Sequence, residues 1–220
     1  MFQIKICGIT SVDDGQTVAA AGADAVGLNF YPKSPRFITP EKARQIVDAL
    51  PAELVKAGLF VNAAVEDVCQ TYDQLGLDLI QLHGDEPPGL LAELGPRPVM
   101  RAFRLGPAGF GPVAEYLQNC RALGCPPKMI LVDAHVEGKY GGTGEVADWA
   151  AVRRFLSETE FPPLVLAGGL APQNVAEAIR TARPAAVDTA SGVESSPGRK
   201  DPAAVVEFVR AAREAFRANV

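Results

Sequence analysis

The segment QIKICGITSVDDGQTVAAA (residues 3–21) passes from a short apolar run directly into a helical pattern. The run QIKIC predicts a β-strand at 3–7, and the helix predicted at 13–21 starts with Ser11 and Asp14 at the spacing of a capping box. The turn between them, CGITSVDD, lacks the glycine-rich phosphate loop that the first turn of a doubly wound open sheet would need. The segment therefore favours one strand–helix unit of a parallel barrel.

The same unit recurs along the whole chain. Seven further strands are predicted at 25–30, 55–61, 78–83, 97–103, 128–133, 163–168 and 185–190, and their helices at 40–50, 64–75, 86–94, 110–122, 147–158, 172–181 and 201–217. Strands that alternate with helices imply right-handed crossovers and a parallel sheet. Eight units leave roughly 27 residues each, which suits a barrel, whereas a doubly wound sheet usually has about five or six strands. We therefore predict an α/β fold, a single-domain (β/α)8 TIM barrel over residues 1–220, with the open sheet as the alternative.

Two further helix starts are marked by a capping residue before a proline. Thr39-Pro40 and Asp201-Pro202 each place a side-chain acceptor at the N-cap and proline at the first helical position. These pairs predict helices that begin at 40 and near 201.

Composition excludes several classes of protein. The net charge of −5 gives no support for binding to nucleic acid or to an anionic membrane surface, and no apolar run approaches the ~18 residues of a spanning helix. The start MFQIKICGIT lacks the features of a signal peptide. The four cysteines are irregularly spaced, and Cys120 and Cys125 have no histidine cluster that would suggest zinc. We expect a cytoplasmic enzyme with reduced thiols.

Polar residues stand at the ends of four predicted strands. Alternation along a strand puts Lys5 on the same face as Cys7, away from the aliphatic face that should contact the helices. The same argument turns His83, Asp133 and Asp188 toward the barrel axis. Active sites of TIM barrels lie at the C-terminal mouth. These side chains should therefore converge on one site.

Two of these residues form a potential acid–base pair. Cys7 is either a small buried apolar residue or, with the Lys5 ammonium beside it, a thiolate that acts as base or nucleophile. Asp133 ends an otherwise apolar strand, so it is either a cap for the next loop or an acid at the mouth. A pair made of Cys7 and Asp133 would span the mouth.

Glycine motifs follow the last strands. Gly168 and Gly169 end strand seven, and Ser191 and Gly192 follow strand eight, where barrels frequently bind phosphate. The alternative is that these glycines only form tight turns. The cluster YGGTG at 140–144 after strand six is either a mobile lid or a plain flexible loop.

Side chains outside the strands add a carboxylate-binding candidate. Arg36, in the loop YPKSPRFI, offers a planar fork that suits a carboxylate, although Lys33 could compete for this role or Arg36 could be a solvated charge.

Two further side chains have simpler expected roles. His83, at the end of the fourth predicted strand, could donate a hydrogen bond to substrate or orient a neighbour. Trp149 is expected to pack the sixth helix against the barrel.

Eight segments together resemble one family over essentially the whole chain. They are KICGIT (5–10), GLNFYPKSPRFI (27–38), GLFVN (58–62), QLHGDE (81–86), LVDA (131–134), YGGTGEVADW (140–149), LAGGLAPQNV (166–175) and VDTASGVESSPGRKD (187–201). In this order they closely resemble the phosphoribosylanthranilate isomerases of tryptophan biosynthesis. No departure is found at the positions that the family uses.

The resemblance implies an Amadori rearrangement of N-(5-phospho-β-D-ribosyl)anthranilate to its 1-deoxyribulose product. In family terms Asp133 would be the general acid that opens the ribose ring. Cys7 would be the general base that removes the C2′ proton. Arg36 would hold the anthranilate carboxylate, while His83 and Asp188 would line the substrate pocket.

The resemblance also implies the remaining ligand contacts and partners. The phosphate would be held by Gly168, Gly169, Ser191 and Gly192, with help from the loop that contains Gly142. The reaction needs one acid, one base and an anchor, so we expect no cofactor and no metal. The expected partner is a small phosphorylated substrate, and the expected assembly is a monomer or homodimer.

Three rival interpretations fit the sequence less well than this resemblance does. The histidine-pathway isomerase would carry aspartate in place of Cys7 and glycine motifs after strands three and four, where FVNAAVED and LHGDEPP stand. Indole-glycerol-phosphate synthase would need a catalytic lysine and glutamate pair that we do not find. A non-catalytic phosphate-binding barrel predicts the loss of Cys7 or Asp133, and both are present.

Overall fold

The computed structural model describes residues 2–105, 108–133, 149–158 and 161–219. Within these residues eight parallel strands form a closed barrel in chain order, and the last strand pairs with the first. The strands are β1 (Ile4–Cys7), β2 (Ala25–Asn29), β3 (Val55–Phe60), β4 (Leu79–Leu82), β5 (Val99–Arg104), β6 (Met129–Asp133), β7 (Leu164–Ala167) and β8 (Ala186–Thr189). This closed (β/α)8 arrangement confirms the predicted TIM barrel.

Helices surround the barrel and follow the strands in turn. They are α1 (Val12–Ala20), α2 (Pro40–Asp48), α3 (Val65–Leu75), α4 (Pro88–Glu93), α5 (Gly111–Ala122), α6 (Trp149–Glu158), α7 (Val175–Ala182) and α8 (Pro202–Ala218). After β8 a single 3-10 turn (Ser191–Val193) leads into a short antiparallel hairpin of β9 (Glu194–Ser196) and β10 (Arg199–Lys200). This hairpin lies at the C-terminal mouth, between the last barrel strand and the last helix.

Alternation along the strands divides the apolar side chains between two layers. Ile4 and Ile6 of β1 belong to the cluster that packs the barrel against the helices, and Trp149 of α6 joins the same cluster, as predicted. The barrel interior has its own smaller cluster, which includes Met100 and Leu131. Lys5 points into that interior and has no exposed surface. The inner face of the strands therefore carries polar as well as apolar side chains.

The helix α4 begins later than the predicted start at residue 86. Glu86 is buried, and its carboxylate accepts hydrogen bonds from the backbone N–H groups of Asn62 and Gly84. These contacts fold the segment back over the β4 end. The helix consequently starts at Pro88.

The helix α7 also begins later, so the prediction that Pro172 lies in its first turn is wrong. The Asn174 side chain accepts from Ala171 N at 2.8 Å and donates to Gly169 O at 3.0 Å. These two bonds fix a turn through Pro172. Helical geometry therefore starts at Val175.

The three capping predictions are confirmed by side-chain hydrogen bonds. Ser11 Oγ accepts from Asp14 N at 3.1 Å, and Thr39 Oγ1 accepts from Lys42 N at 3.4 Å. The Asp201 carboxylate accepts from the first two free N–H groups of α8, those of Ala203 and Ala204. The local sequence signals therefore determine where these helices start.

The structure also bears on membranes, metals and thiols. In the described part of the chain no helix is long and apolar enough to cross a membrane. Among the same residues no group of three or more histidine, cysteine or acidic side chains could hold a metal ion. Cys7, Cys69, Cys120 and Cys125 are free thiols.

We expect Asp201→Ala to destabilise the protein by about 1 kcal/mol, because two N–H groups at the start of α8 lose their acceptor. Chemical denaturation measures this difference in the free energy of unfolding. Asp201→Asn is the matched control, since an asparagine side chain can still accept these bonds. Equal stability of the Ala and Asn variants would contradict the role of this cap.

Candidate active site

A cavity of about 370 Å³ opens at the C-terminal ends of the strands. It is lined by eight of the residues that the sequence singled out: Cys7, Arg36, His83, Asp133, Gly168, Gly169, Asp188 and Ser191. Gly192 follows Ser191 in the 3-10 turn, and Gly142 lies outside the described residues. Lys33 is exposed and does not line the cavity. Parallel strands thus bring side chains from distant parts of the sequence to one mouth.

The thiol of Cys7 lies against a glycine on the neighbouring strand. Cys7 is opposite Gly27 in the β1–β2 register. A Cβ atom at position 27 would lie 2.5 Å from Cys7 Sγ and 3.0 Å from Lys5 Nζ. Gly27 therefore makes room for both groups. Sequence reasoning missed this role, although Gly27 lies within GLNFYPKSPRFI.

Lys5, Cys7 and Asp188 form a buried electrostatic unit. Lys5 Nζ donates to Asp188 Oδ1 at 3.0 Å. Burial alone would lower the pKa of the Lys5 ammonium, but its interactions with Asp188 and, to a smaller extent, with Cys7 together outweigh burial and raise that pKa. Burial also raises the pKa of the Asp188 carboxyl, against the opposing effect of Lys5. The ammonium and the carboxylate thus stabilise each other inside the barrel.

The resting form of Cys7 differs from the simplest expectation. One of the two alternatives from the sequence was a thiolate favoured by the Lys5 ammonium. In the structure burial raises the pKa of the Cys7 thiol, and this effect prevails over the neighbouring Lys5 and Lys200 charges, with Asp188 also raising the pKa. The ion pair with Asp188 neutralises Lys5. Cys7 therefore rests as a thiol that must lose its proton before it can act as a base.

His83 is held as a neutral imidazole at the mouth. Burial lowers its pKa to about 4, helped by Arg104, Lys5 and Arg101 and opposed by Asp133. Gln81 Nε2 lies 3.0 Å from His83 Nδ1. With the Gln81 amide in this orientation its nitrogen donates, so Nδ1 accepts and the proton resides on Nε2. His83 can thus donate a hydrogen bond to a ligand.

Asp133 ends β6 on the far side of the mouth from Cys7. The barrel order places β8 and β7 between β1 and β6. The β5–β6 register puts Arg104 beside Asp133, a cation at the mouth that sequence reasoning did not identify. The acidic and the thiol groups therefore face one cavity from different sides.

Arg36 makes a bidentate ion pair that was also not foreseen. Its Nε donates to Glu194 Oε1 at 2.8 Å, and its Nη2 donates to Oε2 at 2.6 Å. Gly8 has a φ of +76°, and a Cβ there would overlap the Arg36 side chain. The glycine after Cys7 is thus what lets Arg36 cross the end of β1. Glu194 and Lys200 both lie in VDTASGVESSPGRKD, but no local pattern links them to residue 36.

The loops after β7 and β8 touch through their backbones. A Cβ on Gly192 would overlap the carbonyl oxygen of Leu170, which also accepts from Thr189 Oγ1 at 2.6 Å. Gly168 and Gly169 both have positive φ angles, of +94° and +65°. These glycines allow the close packing of backbone that a phosphate site at this end of a barrel requires.

Comparison with known proteins gives one consistent result. The family model for N-(5'phosphoribosyl)anthranilate (PRA) isomerase matches residues 4–211. An N-(5'-phosphoribosyl)anthranilate isomerase of Trichlorobacter lovleyi is 49% identical over 217 residues, which are 98% of this chain and 100% of that protein.

Solved structures agree with the sequence comparison. Phosphoribosyl anthranilate isomerase of Thermotoga maritima superposes with a TM-score of 0.85 at 38% identity, over 97% of this chain and 100% of that one. A phosphoribosyl anthranilate isomerase in complex with reduced 1-(o-carboxyphenylamino)-1-deoxyribulose 5-phosphate has a TM-score of 0.79 at 36% identity, over 97% and 100% of the two chains. The chain belongs to the N-(5′-phosphoribosyl)anthranilate isomerase family, and its activity is that isomerisation in tryptophan biosynthesis.

Proposed function

We propose that Asp133 and Cys7 divide the proton transfers of the Amadori rearrangement between them. Asp133 donates a proton to the ribose ring oxygen while the C1′–O bond breaks, and the nitrogen lone pair forms the C=N bond of a protonated Schiff base. The Cys7 thiolate then removes the C2′ proton, and the freed electron pair forms the enolamine. In the tautomerisation to the ketone the Cys7 thiol gives its new proton to C1′, and the Asp133 carboxylate takes the proton of the C2′ hydroxyl. The carboxylic acid and the thiolate are thereby restored, the thiolate having first formed from the resting thiol by loss of a proton to solvent.

The observation that carries this proposal is the shared cavity. Cys7 and Asp133 line the same 370 Å³ space from different sides of the barrel. Separate acid and base groups suit a reaction in which one proton is added at the ring oxygen and another is removed from a carbon. The volume lies in the range of about 300–1,000 Å³ that is common for small-molecule sites.

His83 and Asp188 support the pair without taking its place. His83 is neutral at physiological pH and can donate through Nε2 to a hydroxyl of the open sugar. Asp188 holds Lys5 beneath Cys7 at 3.0 Å. We infer that these two residues set the polarity of the pocket rather than transfer protons themselves.

Arg36 and the glycine loops would bind the two ends of the substrate. The solved relative holds a reduced product analogue with a carboxyphenyl group and a phosphate. In this chain Arg36 would contact the carboxylate. Gly168, Gly169, Ser191 and Gly192 would hold the phosphate, with Gly142 contributing from beyond the described residues.

The proposal also covers the domain organisation, the cellular location and the assembly of the chain. We infer one catalytic domain over residues 1–220 that needs no metal or other cofactor, since the steps above use only side chains and substrate. The four free thiols support a cytoplasmic location. Of the two assemblies expected, monomer or homodimer, the dimeric T. maritima relative favours the homodimer.

We expect Cys7→Ser to lower kcat by about 10²–10⁴-fold while substrate still binds, because a hydroxyl is a far weaker base at the same position. Steady-state fluorescence assays measure this loss. Turnover near the wild-type rate in Cys7→Ser would rule out Cys7 as the base.

In the wild type, kcat/KM should rise with pH in the alkaline range, because the fraction of Cys7 present as thiolate grows.

Asp133→Asn should also lower kcat by about 10²–10⁴-fold, since an amide cannot protonate the ring oxygen. The same assay applies. Asp85→Asn is a suitable control because Asp85 is an exposed carboxylate in a loop at the same end of the barrel. An equal loss in both variants would show that charge at the mouth, and not acid catalysis, explains the result.

For Arg36→Met we expect mainly a higher KM, because a carboxylate contact formed equally in ground and transition states contributes uniform binding. Lys33→Met is the matched control, since Lys33 is an exposed cation of the same loop that does not line the cavity. An unchanged KM in Arg36→Met would count against the anthranilate contact.

A further inference from the structure

The Arg36 guanidinium is held along one edge and leaves another edge for a ligand. Its pairing with Glu194 uses Nε and Nη2, at 2.8 and 2.6 Å. A guanidinium has five N–H donors in a planar fork, so Nη1 and the second hydrogen of Nη2 form a separate edge. A substrate carboxylate can therefore bind Arg36 without displacing Glu194.

Lys200 supplies the charge that this arrangement needs. Its Nζ donates to Glu194 Oε1 at 2.8 Å, to Cys7 O at 2.7 Å and to Ala190 O at 3.0 Å. Three acceptors around three N–H groups suit an ammonium. An isolated Arg36–Glu194 pair would have no net charge. With Lys200 the three side chains carry one net positive charge, which matches one substrate carboxylate.

The hairpin of β9 and β10 fixes this set of charges to the mouth. The side chains of Glu194 and Lys200 are 4% and 0% exposed, whereas that of Arg36 is 21% exposed. The hairpin turn is tied to the β1 end, because Thr10 Oγ1 donates to Gly198 O at 2.5 Å. The buried partners are therefore the rigid part, and Arg36 is the part that meets the ligand.

We propose that Glu194, anchored by Lys200, is a positioning residue that aims the free edge of Arg36 and thereby sets specificity for substrates with a carboxylate on the aryl group. The proposal rests on the proposed function, in which Arg36 binds the anthranilate carboxylate. Glu194 itself does not touch the substrate.

The charges explain why loss of Glu194 should weaken binding rather than strengthen it. Arg36 Nε and Lys200 Nζ both contact the same oxygen, Glu194 Oε1, at 2.8 Å. Without the carboxylate these two cations would repel each other across a buried gap. Since Lys200 is fixed by two carbonyl groups, Arg36 is the side chain that would move away into solvent.

The test compares two ligands by calorimetry on the full chain. One is reduced 1-(o-carboxyphenylamino)-1-deoxyribulose 5-phosphate, and the other is the same molecule with a plain phenyl group. The Kd ratio of the two ligands reports the contribution of the carboxylate. Glu194→Gln should weaken binding of the first ligand by about tenfold and of the second by less than about twofold, since the lost charge-assisted pairing misplaces Arg36, which only the carboxylated ligand contacts.

Equal weakening of both ligands in Glu194→Gln, or tighter binding of the carboxylated one, would overturn the proposal. Arg36→Lys gives a second test with Glu194 intact, because a lysine ammonium has no second edge. This variant should lose most of the ligand preference although it keeps the charge. A wild-type ratio in Arg36→Lys would contradict the two-edge geometry.

The Arg36→Met variant separates this proposal from the proposed function on which it rests, and Glu207→Gln serves as the control. Arg36→Met should abolish the preference for the carboxylated ligand, and a wild-type ratio there would refute the anthranilate contact itself. Loss of the preference in Arg36→Met together with a wild-type ratio in Glu194→Gln would refute only the positioning role. Glu207→Gln, which removes an exposed carboxylate of α8, should leave both Kd values unchanged.

Discussion

A lysine without exposed surface lies inside the barrel and pairs with an aspartate on the strand that closes it. Lys5 and Asp188 stand opposite each other in the β1–β8 register, with Nζ and Oδ1 3.0 Å apart. Removing one member of such a pair leaves an uncompensated buried charge, which costs about 3–5 kcal/mol. The pair therefore links barrel closure to the chemistry at the mouth, because Cys7 lies directly above Lys5 on the same inner face of β1.

Small residues make this arrangement possible. Ala25, Ala57 and Ala186 belong to the inner cluster of the barrel, and Ala25 stands opposite Lys5 in the β1–β2 register. Gly27 then leaves space for the thiol beside it. The resulting enclosure raises the pKa of Cys7, so the same packing that positions the base also keeps it protonated at rest.

Much of the fold and part of the site could be predicted from the sequence. Repeated strand–helix units and the period-two alternation were sufficient to predict the closed barrel and to turn Cys7, His83, Asp133 and Asp188 toward one mouth. Capping side chains such as Asp201 could be read locally, because their acceptors bond to N–H groups two or three residues away.

The remainder depended on contacts that no local pattern encodes. Arg36 and Glu194 are 158 residues apart, and only the folded chain brings them together. The requirement for glycine at position 27 follows from the strand register with Cys7. The late start of α7 follows from the Asn174 side chain, which holds a turn through Pro172 where the sequence favoured a helix start.

The central claim is that Cys7 acts after the ring has opened, as the base that removes the C2′ proton. The most direct test is a single-turnover reaction of Cys7→Ser quenched with borodeuteride, which reduces a Schiff base at C1′ and the ketone product at C2′. We predict deuterium at C1′, because Asp133 can still open the ring while the next step is blocked. Deuterium at C2′, at the rate found for the wild type, would contradict the account.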